Sequence, residues 1–201
     1  LGVFQNSQAE KYKLVQVNGS ESSVYWTFLN SYPNAKSKID SGIYRVKNKK
    51  SGLYLTVKNR SLEIFDSIAQ HRRFDMDDET VGFDTWLIEP ALNDGSAYTL
   101  RNLGSGYYVT DWFYDPEGAV LHQKDLWTSG EMDWQFLLTG VPGEYRMRNS
   151  LSYYYAVVKN ASTEDNANII KYRSGSDDNE IWTLERVYYS DSPLAKGIYK
   201  I

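Results

Sequence analysis

Three aromatic residues in succession, Trp112, Phe113 and Tyr114, stand between two carboxylates, Asp111 and Asp115. Side chains alternate across a strand, so three consecutive rings cannot all point inward. Two readings stay open. The rings form an exposed surface for a ligand or partner, or they cover the open end of a barrel. Other chemistry is sparse. The absence of Cys removes disulfides, thiolate nucleophiles and zinc–thiolate sites. Two histidines, His71 and His122, do not make a His-rich metal site. Asp75, Asp77, Asp78 and Glu79 crowd one stretch, but the Gly and terminal Glu of an EF-hand are missing. That stretch reads as a solvated charged loop. No nucleophile elbow, Gly-rich phosphate loop or H-E-x-x-H motif occurs. The chain is therefore expected to be non-catalytic and to carry no cofactor or metal. A net charge of −4 argues against a general nucleic-acid binder, and no apolar run is long enough for a membrane span. Three sequons, at Asn18, Asn59 and Asn160, permit a secreted glycoprotein.

The elements that must position these residues repeat along the chain. Tyr44, Val46, Asn48, Ser51, Gly52 and Tyr54 form a skeleton that returns as Tyr98, Leu100, Asn102, Ser105, Gly106 and Tyr108. It returns again as Tyr145, Met147, Asn149, Ser152, Tyr153 and Tyr155. Trp86, Trp134 and Trp182 keep time with it, 48 residues apart. A period of this size dictates architecture. Each copy opens with period-two alternation, turns at Asn and Ser, and continues as a second strand. Third strands are expected at Leu62–Phe65, Ala119–His122 and Asn168–Tyr172, and a fourth carries the Trp. Four short strands per copy and little sign of a helix predict an all-β, closed or nearly closed fold. The three Trp residues should occupy equivalent buried places about a threefold axis.

Three such repeats, each with an N-x-x-S-G-φ-Y hairpin and a late Trp, resemble the ricin-type β-trefoil family of lectin and carbohydrate-binding modules. The resemblance implies a sugar site made of an acidic residue after the second strand, an aromatic platform ending the third, and an Asn three residues before the Trp. In repeat 3 it places Tyr172 at the platform and Asn179 at the Asn position, with Asp178 beside it. Val157 stands at the acid position, and Asp165 is the substitute in the loop. In repeat 2 it gives Thr110 with Asp111 one step on, Gln123 and Glu131. In repeat 1 it gives Thr56, Phe65 and Phe83. The Gln of the family's Q-x-W is replaced by Asp84, Met132 and Glu180.

The trefoil is expected at 41–187, with repeats at about 41–91, 92–141 and 142–187. Residues 1–30 resemble the tail of a preceding repeat, since YWTFL at Tyr25–Leu29 matches IWTLE at Ile181–Glu185. Residues 31–40 and 188–196 have linker composition, and 197–201 repeat the first strand. These features predict a tandem array, completed within a longer polypeptide or by copies of the chain joined head to tail. Two functions follow. One is a non-catalytic, multivalent carbohydrate-binding module, extracellular, with glycans or glycoproteins as partners. The other is a structural or interaction protein whose trefoils have lost sugar binding.

Overall fold

The computed structural model describes residues 35–74, 82–127, 129–174 and 177–187, with the backbone of 12–15 and 27–30. The expectations for Asn18, for the acidic residues 75–79 and for 188–201 lie outside the described residues. Strands β1 (Tyr12–Val15) and β2 (Thr27–Asn30) pair antiparallel in a sheet of their own, with Tyr12 opposite Asn30.

The chain then runs through β3 (Gly42–Asn48), β4 (Tyr54–Val57), β5 (Ile68–His71) and β6 (Trp86–Pro90). Next come β7 (Tyr98–Asn102), β8 (Tyr108–Thr110), β9 (His122–Lys124) and β10 (Trp134–Leu138). The last are β11 (Glu144–Asn149), β12 (Tyr155–Val158), β13 (Ile169–Tyr172) and β14 (Ile181–Arg186). Strands β3, β6, β7, β10, β11 and β14 pair in that order, and β14 returns to β3, closing a six-stranded barrel. The hairpins β4–β5, β8–β9 and β12–β13 join one another through bridges Ser67–His122, Ala69–Asn168 and Val120–Ile170. This is a β-trefoil of three four-stranded repeats.

Trp86, Trp134 and Trp182 are fully buried, as their spacing predicts. Each indole N–H donates to the backbone of its own hairpin, at Leu55, Val109 and Ala156, over 2.9, 3.0 and 2.9 Å. A buried indole needs such a partner. These three bonds fix which residues are equivalent: Leu55, Val109 and Ala156, and onward from there. Val46, Ile88, Leu100, Phe136 and Met147 fill the barrel between them.

The repeated Asn is the hinge of each hairpin. The Asn48, Asn102 and Asn149 carboxamide oxygens each accept two turn N–H groups. Their NH₂ groups reach the turn before each Trp, at the Asn179, Phe83 and Glu131 carbonyls. The Ser51, Ser105 and Ser152 hydroxyls accept the N–H two residues on. Gly52 and Gly106 then take positive φ, and Tyr153 takes the same turn at φ 63°. One short motif thus closes the hairpin and ties it to its neighbour.

Two strand placements differ from the sequence reading. The third strand of repeat 1 is β5, not Leu62–Phe65, and that of repeat 2 is β9, not Ala119–His122. Leu62, Ile64 and Phe65 belong to an exposed turn in which the Ser61 hydroxyl accepts the Glu63 N–H and Phe65 has φ 65°. The pairs Tyr54–His71, Tyr108–Lys124 and Tyr155–Tyr172 set the true equivalence. His71 and Lys124, rather than Phe65 and Gln123, therefore share the position of Tyr172.

Part of the segment read as a linker lies on the barrel. The Ser37 N–H donates to Phe136 and the Leu138 N–H to Ala35, over 2.7 and 2.8 Å. Ile39 is buried and its N–H donates to the Tyr98 hydroxyl.

Candidate functional site

In repeat 3, Tyr172 ends β13 with its ring half exposed. Asn179 does not present its amide outward. It is buried, and its NH₂ donates to the Val158 carbonyl over 3.0 Å. Asp178 pairs with Lys49 at 3.3 Å. Asp165 turns to repeat 1, where it accepts from the Arg72 backbone and guanidinium. Burial would raise this carboxyl, but the Arg72 bonds outweigh it and hold it below the usual carboxylate range. Val157 faces Ile170 across the hairpin. The structure thus engages Asn179, Asp178 and Asp165 in separate contacts of the fold.

Repeat 2 is where the threefold pattern breaks. In repeats 1 and 3 the second strand runs into a short 3₁₀ turn, Lys58–Arg60 and Lys159–Ala161. Asn59 and Asn160 sit in it at φ 54° and 55°, a left-handed conformation that Asn tolerates. The Ser61 and Ser162 hydroxyls accept the N–H two residues on. Two of the three sequons therefore coincide with turn chemistry. Repeat 2 has Trp112, Phe113 and Tyr114 in this place.

The support beneath the loop changes with it. Gln70 donates to the Ser162 and Glu164 carbonyls, and Gln123 donates to those of Ser61 and Glu63. The third equivalent is Lys171, whose ammonium donates to the Trp112 carbonyl over 2.6 Å. It also meets the Asp111 carboxylate at 2.7 Å, where repeats 1 and 3 have Val57 and Val158. Ser152 donates to the second Asp111 oxygen. Both ends of the pair are buried. Desolvation lifts the Asp111 carboxyl above its usual range, and the Lys171 and Ser152 bonds offset this only in part.

Over this support lies a pocket of about 360 Å³, lined by Trp112, Phe113, Tyr114, Lys124, Trp127, Ser129, Glu131 and Leu151. Tyr114 is 84% exposed, Trp127 55% and Phe113 47%. Trp112 is half-buried, edge-on to Phe65 at 5.7 Å. The Lys124 ammonium sits between the Trp112 and Trp127 rings, 4.4 and 4.6 Å from their centroids. Glu131 accepts the Phe113 N–H and the Ser129 hydroxyl, both at 3.1 Å. Sequence reasoning found the aromatic triplet but not Lys124 or Trp127. The available signal was that Trp127 stands outside the 48-residue Trp series.

Repeat 1 has a counterpart of about 370 Å³ at Asn59, Arg60, His71, Phe74 and Asn166, with His71 stacked on Phe74 at 4.5 Å. Among the described residues no group of His, Asp and Glu is placed to hold a metal ion.

No family model matches the sequence, and no curated protein matches it. Among solved structures, a designed 3-fold symmetric protein, ThreeFoil, matches 73% of this chain and 99% of its own, with TM-score 0.64 and 27% identity. The Macrolepiota procera ricin B-like lectin in complex with lactose matches 75% of this chain and all of its own, with TM-score 0.61 and 17% identity. The fold is a ricin-type β-trefoil. An exo-β-1,3-galactanase from Clostridium thermocellum matches 74% of this chain with TM-score 0.64 and 24% identity, but the match spans only 31% of that enzyme.

Proposed function

We propose that this trefoil is a non-catalytic carbohydrate-binding module whose working site is the pocket of repeat 2. The observation that carries the reading is the exposure of Phe113, Tyr114 and Trp127 around a pocket that also holds Lys124 and Glu131. Ring faces cover the C–H face of a sugar, while a nearby donor and acceptor orient its hydroxyls. The similarity to a lactose-bound lectin supports the same class of ligand by fold analogy. Tandem trefoils would add avidity through effective concentration. Glycans or glycoproteins are then the partners and the setting is extracellular, with Asn59 and Asn160 exposed as acceptors.

The second reading is an interaction protein. It is favoured by Leu62, Ile64 and Phe65, which extend the exposed apolar surface beside Trp112. A glycan array on the intact chain separates the two. Binding that Trp127→Ala abolishes and Tyr172→Ala preserves supports the repeat-2 lectin. An array without any bound glycan leaves the interaction protein. Release of reducing ends from a bound glycan would overturn the non-catalytic reading.

A further inference from the structure

The position that is Tyr172 in repeat 3 and His71 in repeat 1 is Lys124 in repeat 2. Lys124 is only 9% exposed, yet it lines the pocket. Its ammonium lies 4.4, 4.6 and 5.5 Å from the ring centroids of Trp112, Trp127 and Phe65. Among the described residues no carboxylate lies within ion-pair distance and no oxygen accepts its N–H groups.

Ring faces attract a cation, but they do not satisfy three N–H donors as oxygen does. A buried cation is ordinarily paired, and this molecule follows that rule at Lys171 with Asp111; the half-buried Arg146 likewise pairs with Glu180. Glu131, the carboxylate that lines the same pocket, already uses both oxygens on Phe113 and Ser129. The pocket thus offers a cation with no counter-ion among the described residues, beside a carboxylate that already accepts one bond at each oxygen. Its missing complement is an anionic oxygen group.

We propose that the repeat-2 pocket takes an acidic saccharide, with a carboxylate or sulfate seated against Lys124 and a sugar ring against Trp127. The assignment rests on the lectin reading above. Lys124 holds the charge and Trp127 holds the ring, so the two contributions separate by substitution.

The test uses the intact chain and matched pairs of oligosaccharides: neutral, sialylated, uronate-bearing and sulfated forms of the same core. Acidic forms should bind about tenfold or more tightly than their neutral partners, as a charge-assisted hydrogen bond adds. Lys124→Met keeps the aliphatic stem and should remove that preference, bringing each acidic form to the affinity of its neutral partner. Lys124→Arg should retain it. In the unaltered protein, rising salt should weaken acidic ligands and leave neutral ones nearly unchanged. The salt titration decides the matter if Lys124→Met does not fold. Equal affinity for acidic and neutral partners, or a preference that survives Lys124→Met, overturns the proposal while the lectin reading stands. Binding of no oligosaccharide at all sinks the lectin reading and this one with it. Capture of phosphopeptides or nucleic acid without any saccharide overturns both. A preference for sialic or uronic acid over sulfate identifies a carboxylate as the seated group, and the reverse identifies a sulfate.

Discussion

Lys171 of repeat 3 reaches under repeat 2 to meet Asp111 at 2.7 Å, replacing the Gln and Val found at the equivalent places. Neither substitution makes sense alone. A Val at 111 would leave a buried ammonium unpaired, and a Gln at 171 would leave a buried carboxylate short of its cation. Removing one partner of a buried pair costs about 3–5 kcal/mol, whereas replacing both is often neutral. Asp111→Val and Lys171→Gln should each destabilise by that order in urea titrations. The double variant should recover most of the loss. The pair also carries a pH dependence. The Asp111 carboxyl is raised in the folded state, so folding takes up a proton at this group. Its favourable contribution is complete below the unfolded carboxyl pKa, about 3.9. It is lost as pH rises through the higher folded value. Relative to the double variant, the native protein should lose stability upward from about pH 4. Parallel pH profiles for the two proteins would disprove this.

The hairpin turns supply a second expectation. Gly52 and Tyr153 occupy the same place in repeats 1 and 3, both with positive φ. A side chain there costs roughly 1 kcal/mol in the left-handed region. Gly52→Ala should destabilise by about that amount. Tyr153→Gly should relieve strain but give up the stacking of Arg148 on the Tyr153 ring at 5.4 Å. Its net gain should stay below about 1 kcal/mol. Thermal unfolding of both variants checks the opposite signs, and a Gly52→Ala protein as stable as the parent would refute the argument.

These two cases show what was legible in the sequence. Residues that do the same job three times announce themselves: Asn48, Asn102 and Asn149 close hairpins, and Trp86, Trp134 and Trp182 fill the core, so spacing alone located them. The third strands were harder. Leu62–Phe65 has strand composition, but a hydroxyl-capped turn holds it outside the sheet. The proposed site was hardest to read, because it lies where the repeats differ. The family resemblance pointed to Tyr172 and Asn179, and a third strand placed at Ala119–His122 hid Lys124. Asn179 matches the family's sugar-binding Asn by position, and in this fold its buried NH₂ donates to the Val158 carbonyl. Asp111 and Lys171 lie 60 positions apart in sequence, and only the closed hairpin ring makes them partners.

The edge of the domain gives the last expectation. Cutting at residue 41 follows the repeat pattern, but the structure places Ala35–Asp40 against the barrel. Bonds from the Ser37 N–H to Phe136 and from the Leu138 N–H to Ala35 continue the edge beside β10. Ile39 is buried in the core cluster, and its N–H meets the Tyr98 hydroxyl at 2.8 Å. The Tyr44 hydroxyl donates to the Asp40 carbonyl from below. Removing the segment exposes the apolar surface under Ile39 and leaves the Tyr98 and Tyr44 hydroxyls without these partners. Loss of a buried Ile side chain alone costs about 2–5 kcal/mol. A chain of 41–187 should therefore unfold at clearly lower urea than one of 35–187. Ile39→Ala in the longer chain should reproduce most of the difference. Identical midpoints for 35–187 and 41–187 would return residues 35–40 to the role of a linker.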